Sequence, residues 1–225
     1  NVTGLGNDPW KDTIGSNDGT ESGTFTRELV SASDANDQID AYGTAILEPR
    51  LNTQQLNLFG DGEYGRTPDS ASLDLTTEAT WEFWVDRDSY QPYVSVIISK
   101  DPTGAFPVRS WNVKESTSGG FGLESFSTLS VFNFFSDPVA LGVSCIHISV
   151  NAGVGTAYSN GVIIGSSGSA TPAFNDTNTP VHIGLRADGA WAYLGKIGSA
   201  KIYNRALTAA EVLTNYNTQK SLYGL

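Results

Sequence analysis

The chain has 225 residues and a formal net charge of -11, which argues against nucleic-acid binding, because that draws its affinity from clustered Lys and Arg displacing phosphate counterions. No apolar run approaches the ~20 residues of a membrane-spanning helix, so no membrane insertion is expected. With 24 glycines, 9 prolines and many Ser, Thr and Asn between short apolar runs, the composition is that of many strands and turns.

An all-β chain of this length routinely forms one unit, so a single domain over 1–225 is expected, with 1–50 as its polar, loop-rich N-terminal part. Short strands are expected there at 24–26 and 45–47. Beyond residue 50, alternation predicts strands at 55–59, 80–86, 93–100, 111–114, 121–125, 130–134, 146–150, 155–159, 162–165, 181–185 and 192–204, about eleven or twelve in all. The lone cysteine, Cys145, sits in the apolar stretch 143–150, reads as a buried small hydrophobe and permits no internal disulfide. Asn160-Gly161 lies between two strand runs and marks a tight type I′ hairpin, so those strands pair antiparallel. Residues 207–222 predict the one helix: Thr208 and Glu211 have capping-box spacing, and Val212, Leu213 and Tyr216 share the face that closes an end or edge of the fold. No fixed-period repeat occurs, which argues against a solenoid or propeller. The chain begins at Asn1 and lacks methionine, and is expected to be a processed protein or part of a longer one.

Several stretches carry a family resemblance. Leu58-Phe-Gly-Asp-Gly-Glu-Tyr64, then Thr67-Pro-Asp-Ser-Ala-Ser-Leu-Asp-Leu75 and Ala79-Thr-Trp-Glu-Phe-Trp-Val85, are followed by Ile146-His-Ile-Ser-Val150 and Ala157-Tyr-Ser-Asn-Gly-Val-Ile-Ile-Gly165. Ile183-Gly-Leu-Arg186, Gly195-Lys-Ile197 and Lys201-Ile-Tyr-Asn-Arg-Ala-Leu-Thr-Ala-Ala-Glu-Val212 close the series. This succession resembles laminin G-like domains of the concanavalin A-like lectin/glucanase superfamily, in its bacterial or phage branch, over roughly residues 55–217. The resemblance implies an all-β jelly-roll sandwich of two antiparallel sheets with one short C-terminal helix, and a concave face that often binds glycans or proteins. It implies no single ligand, since lectins, adhesins, enzyme accessory modules and virion proteins share the fold.

Glucanases of this fold place paired carboxylates on one strand as nucleophile and acid. The nearest approach here, Glu82 and Asp86, shares a face with Trp84 between them and lacks the third acid, so both are read as solvated or strand-edge carboxylates and no enzyme is expected. His147 and His182 read as satisfied core or sheet-face residues. The resemblance allows a structural calcium, for which the oxygen-rich loops offer Asp12, Asp18 and Asp61; against it, Gly195-Lys-Ile-Gly-Ser-Ala200 lacks the acidic pair that many relatives carry there.

Sugar recognition needs aromatic rings flanked by planar polar groups. Trp111 and Trp191 lie in polar, turn-rich sequence, and Tyr193, Arg186, Asp188 and Arg109 complete the candidate ligand set. Trp81 and Trp84 point to opposite faces of one strand, one into the core. Apolar residues on both faces of 131–135 suggest a subunit contact through Phe132, Phe134 and Phe135, hence a homo-oligomer. The expected function is a non-catalytic module that recognises a glycan or cell-surface ligand, as part of an adhesin, secreted protein or phage tail. The alternative is a structural virion or surface-assembly component whose partners are other virion or surface proteins, and a β-glucan hydrolase ranks below both. Either leading reading implies an extracellular or virion-surface location.

Overall fold

The computed structural model describes residues 20–22, 37–39, 45–47, 56–59, 64–101, 110–126, 131–168, 174 and 178–225. Among these, the strands in chain order are β1 (Thr20–Ser22), β2 (Asp37–Ile39), β3 (Ala45–Leu47), β4 (Leu56–Phe59), β5 (Tyr64–Thr67), β6 (Ala79–Arg87), β7 (Ser95–Lys100) and β8 (Trp111–Glu115). They continue with β9 (Gly120–Phe126), β10 (Val131–Pro138), β11 (Gly142–Asn151), β12 (Val154–Ser159), β13 (Val162–Ser166), β14 (Val181–Ile183) and β15 (Leu194–Tyr203), followed by helix α1 (Ala209–Gln219). A seven-stranded sheet runs β1-β5-β14-β7-β8-β9-β10, a six-stranded sheet β13-β12-β11-β6-β15-β4, and β2 pairs with β3. All these ladders are antiparallel, as expected of a jelly-roll sandwich.

The fifteen strands among the described residues exceed the expected eleven or twelve, because three- and four-residue strands such as β1, β2 and β5 are too short to show alternation. The strand at 45–47 is present, whereas 24–26 lies outside the described residues. The expected strand 181–185 ends at Ile183 because Gly184 turns the chain at φ 95. A Cβ at Gly184 would lie 2.5 Å from Leu58 Cδ1, so glycine is needed there for space as well as conformation.

Alternation sorts each long strand. In β6, Trp81, Phe83 and Val85 turn inward and meet Trp111, Val113, Phe121 and Leu123 of the facing sheet. The Trp81 ring lies 5.2 Å from Trp111 and 5.6 Å from Phe174. Arg87, next on that inward row, donates from Nη1 to Glu115 Oε1 at 2.6 Å, and both side chains are fully buried. The pair ties the sheets together at one end, where Arg87 also donates to the Ala140 carbonyl at 2.7 Å and lies 4.8 Å from the Phe121 ring.

The other face of β6 is buried as well. Register places Lys201, Glu82 and His147 side by side on β15, β6 and β11, and α1 lies across them. The helix therefore covers the outer face of the six-stranded sheet instead of closing an end or edge. Trp84 stacks at 3.9 Å on Tyr223 and at 6.0 Å on Tyr216, while Cys145 packs beside it as the small buried hydrophobe the sequence implied. Leu207 N donates to Thr80 Oγ1 at 2.8 Å, and the Thr208–Glu211 capping box is formed. Arg205 grips Glu211 from outside at 2.8 and 3.1 Å. Asn160 and Gly161 take φ 52 and φ 82, the type I′ pattern, and join β12 to β13 antiparallel.

Glu82 is neither solvated nor at a strand edge. It is fully buried on a central strand and is the acceptor that holds the helix down. Oε1 accepts from Lys201 Nζ and Gln219 Nε2, both at 2.7 Å; Oε2 accepts from Tyr203 Oη and Asn215 Nδ2, both at 2.8 Å, with His147 Nε2 at 3.2 Å. Burial alone would raise its pKa, but the His147 contact and the Lys201 charge outweigh that and hold the carboxyl well below the ordinary range.

Replacing Glu82 by Ala strands four buried or half-buried donors and is expected to cost about 3 kcal/mol, the low end for a broken buried pair because Lys201 can rehydrate. The sign with pH follows from the lowered folded value. The Glu82 contribution is complete above the unfolded glutamate pKa of about 4.3 and fades as pH falls further. Urea unfolding of wild type and Glu82→Ala should therefore show a gap at pH 7 that narrows below pH ~4; equal midpoints at pH 7 would refute the anchor.

Candidate functional site

The candidate site starts from the connection between β14 and β15. Gly184 N donates to the Ile97 carbonyl at 2.7 Å, Tyr193 N to Gly184 O at 2.7 Å, and Val96 N to Trp191 O at 2.8 Å, so the loop is tied to β7 and across its own base. Gln91 adds a clamp, donating to Leu194 O at 2.6 Å and accepting from Leu194 N at 3.0 Å. Within the loop, Gly189 N donates to Arg186 O at 2.8 Å, with Gly189 at φ 80.

This frame holds the side chains in order. Asp188 Oδ1 accepts from Ala190 N at 3.0 Å and Arg186 Nε at 2.9 Å, and its second oxygen accepts from Arg186 Nη2. The Arg186 fork is the main reason the Asp188 carboxyl is held below its usual range. The Arg186 guanidinium lies 4.6 Å from the Trp191 ring, within cation–π range. Trp191 adopts φ 58, in the left-handed region that a bulky residue occupies only when its surroundings enforce it.

The cluster of Asp188, Arg186 and Trp191 extends onto the outer face of the seven-stranded sheet. Lys114 of β8 points there, its Nζ 5.7 Å from the Trp191 ring, 5.2 Å from the Phe135 ring and 2.8 Å from Glu124 Oε2. In register, Lys114 pairs with Gly122 and Gly122 with Phe135. On a parallel row, Arg66, His182, Ser99, Asn112, Glu124 and Asn133 cross the sheet on that face. Asn112 donates to Asp101 Oδ2 at 3.3 Å. Among the described residues, Arg186 Nη1 is buried without a hydrogen-bond partner.

Of the residues singled out in the sequence, Trp191, Arg186 and Asp188 come together. Trp111 does not join them: it is fully buried against Trp81, because position 111 falls on the inward phase of β8. Tyr193 is likewise fully buried, and burial, with the Glu115 charge behind it, pushes its hydroxyl pKa well up. Phe132 and Phe134 are core residues and leave the expected assembly surface; only Phe135, on the opposite phase of β10, is exposed. Trp81 is the core tryptophan of its pair and Trp84 the sheet-face one. His147 lies on a sheet face against Glu82, and His182 on the opposite sheet beside Tyr64, 5.6 Å away. Arg109, Asp12, Asp18 and Asp61 lie outside the described residues. Lys114 and Glu124 were missed from sequence. Their alternating polar phase was visible, but the register that sets them beside Trp191 was not.

Calcium finds no fit among the described residues. Asp86 is engaged by Lys196 at 3.2 Å, and the one group of potential ligands that converges is Glu82, Cys145 and His147, a buried mixed set and not an oxygen cage. Burial, then the Glu82 charge, pushes the Cys145 thiol pKa well up, opposite to what metal ligation needs.

The two stacked antiparallel sheets and the helix packed over one of them define a jelly-roll of the lectin-like class. A family model described as the concanavalin A-like lectin/glucanases superfamily matches residues 59–213, and the chain belongs to that superfamily. A comparison with curated proteins returned no match. Among solved structures, the binding domain of Paraclostridial Mosquitocidal Protein 1 is similar at TM-score 0.65 and 14% identity, over 95% of this chain and 53% of that one. The chain thus spans about half the length of that binding domain. Domain 4 of AbnA, a GH43 extracellular arabinanase from Geobacillus stearothermophilus solved with arabinotriose, is similar at TM-score 0.61 and 20% identity over 92% of both chains. The CBM40 of the Ruminococcus gnavus IT-sialidase, bound to α2,3 sialyllactose, is similar at TM-score 0.56 and 17% identity over 65% of this chain and 86% of that one.

The two tryptophans separate by experiment. Trp111→Ala should cost about 3–5 kcal/mol as a large core cavity. Trp191→Gly and Trp191→Ala delete the same ring, but only alanine keeps the left-handed penalty, so the glycine variant should be more stable by about 1 kcal/mol. Chemical unfolding of the three variants measures both differences.

Proposed function

We propose that this chain is a non-catalytic glycan-binding module acting outside the cell, which contacts its ligand through Trp191, Arg186 and Asp188. The observation that carries this reading is Trp191, a large ring kept in a left-handed backbone beside a carboxylate–guanidinium pair. Core packing gives no reason for that strain, whereas presenting a ring beside planar hydrogen-bonding groups is what sugar C–H faces and hydroxyls require. The unpartnered Nη1 of Arg186 adds a donor for a ligand hydroxyl to complete. Similar folds solved with arabinotriose and with sialyllactose support the ligand class.

A catalytic role is disfavoured by the state of Glu82, whose oxygens are occupied and roofed by α1. Among the described residues no helix is long and apolar enough to cross a membrane, which fits a module of a longer exported protein such as an adhesin, a secreted enzyme or a phage tail. An assembly role is the second reading. It is favoured by Val162, 65% exposed, and Ile163, 58% exposed, on the edge strand β13, near Leu213 of α1.

Screening against a glycan array, with light scattering in parallel, tests both. The expected result is saturable binding by a monomer, reduced at least tenfold by Trp191→Gly and by Arg186→Ala with unfolding midpoints preserved. A silent array with a stable oligomer would replace the glycan reading by the assembly one.

A further inference from the structure

The charges around Trp191 limit which sugar it can hold. Lys114 is bound to Glu124, with 4% and 10% of the two side chains exposed, and Arg186 is bound to Asp188. Both cations are also engaged by aromatic rings. A third carboxylate, Asp101, is fixed by Asn112 and interacts electrostatically with Arg186. Among the described residues, three carboxylates therefore surround two cations. An acidic sugar would have to lie beside an internal carboxylate already bound to the cation it approaches, a like-charge contact that is costly around the nearly buried Lys114–Glu124 pair. The chain's overall charge of -11 opposes such a ligand at longer range.

The same cluster has a second ring. Phe135 is 37% exposed on the outer face and shares Lys114 with Trp191. Between Lys114 and Phe135 the register places Gly122, where an added Cβ would fall 1.9 Å from Phe134 O and 2.8 Å from Phe135 Cδ1. The glycine lets Phe135 lean over β9 toward Lys114. One ring at the loop and one on the sheet, with a side-chain-free position beside the second, make an extended platform instead of a single-sugar pocket.

Resting on the glycan reading above, we infer that the site takes a neutral oligosaccharide laid from Trp191 to Phe135 across the outer face of the seven-stranded sheet, and rejects acidic sugars. Titration calorimetry on the full chain tests this with neutral trisaccharides (arabinotriose, xylotriose, cellotriose, maltotriose), their monosaccharides, and two acidic probes, sialyllactose and trigalacturonate. At least one neutral trisaccharide should bind, tenfold or more tighter than its monosaccharide, and both acidic probes should fail. Phe135→Ala should weaken the trisaccharide about three- to tenfold, the worth of one aromatic contact, and leave the monosaccharide unchanged. Unfolding of the variant verifies that it folds, and Phe135→Tyr should restore binding. Acidic probes binding as well as neutral ones would overturn the inference while the glycan reading stands. So would equal effects of Phe135→Ala on both lengths. Silence across the whole panel would overturn both.

Discussion

Strand β6 has both faces buried until Asp86, and the rest of the molecule is arranged to meet that demand. Its inward row of Trp81, Phe83 and Val85 requires a second sheet, because aromatic rings of this size lose their stabilisation if one side stays wet. Its outward row of Thr80, Glu82 and Trp84 requires a cover, which α1 and the turn that follows it supply. A sandwich sheet with one solvated face would need neither the helix nor the four hydrogen-bond donors on Glu82.

The interior also holds charge, and ion pairs meet it at two margins. Arg87 meets Glu115 between the sheets, and Lys100 meets Asp69 at 2.8 Å and Asp74 at 2.5 Å at another margin. Burying such pairs gains little net stability over apolar packing, since desolvation offsets most of the attraction. Their geometric demands are strict, however. A register slip of one residue would turn Arg87 and Glu115 to opposite faces and leave both uncompensated. In a sandwich with many similar strands, that penalty favours one pairing over its neighbours.

The proposed binding site draws on the same rigidity. Trp191 can hold its left-handed backbone because hydrogen bonds to β7 and to Gln91 fix the loop on both sides, and a ring so placed needs little ordering when a ligand arrives. In that reading the superfamily fold provides the face, while the chemistry comes from a few side chains of one loop and three strands. Similar folds therefore accompany arabinotriose in one protein and sialyllactose in another.

Local rules written in the sequence determined much of this protein. Alternation gave the long strands and the opposite orientation of Trp81 and Trp84 on β6; Asn160-Gly161 gave a hairpin through positive φ; Thr208 and Glu211 gave the helix start. Arg186 and Asp188 were also legible, being two residues apart in one loop with Trp191 close behind. Phase and partner across strands were not local. Whether Trp111 or Trp191 is sealed in the core, whether Phe132 or Phe135 faces water, and that Glu82 lies under a helix depend on register between strands more than a hundred residues apart, and on which face the C-terminal helix covers. Only the tertiary structure decided these, because side-chain alternation tells which residues share a face but not which face meets water.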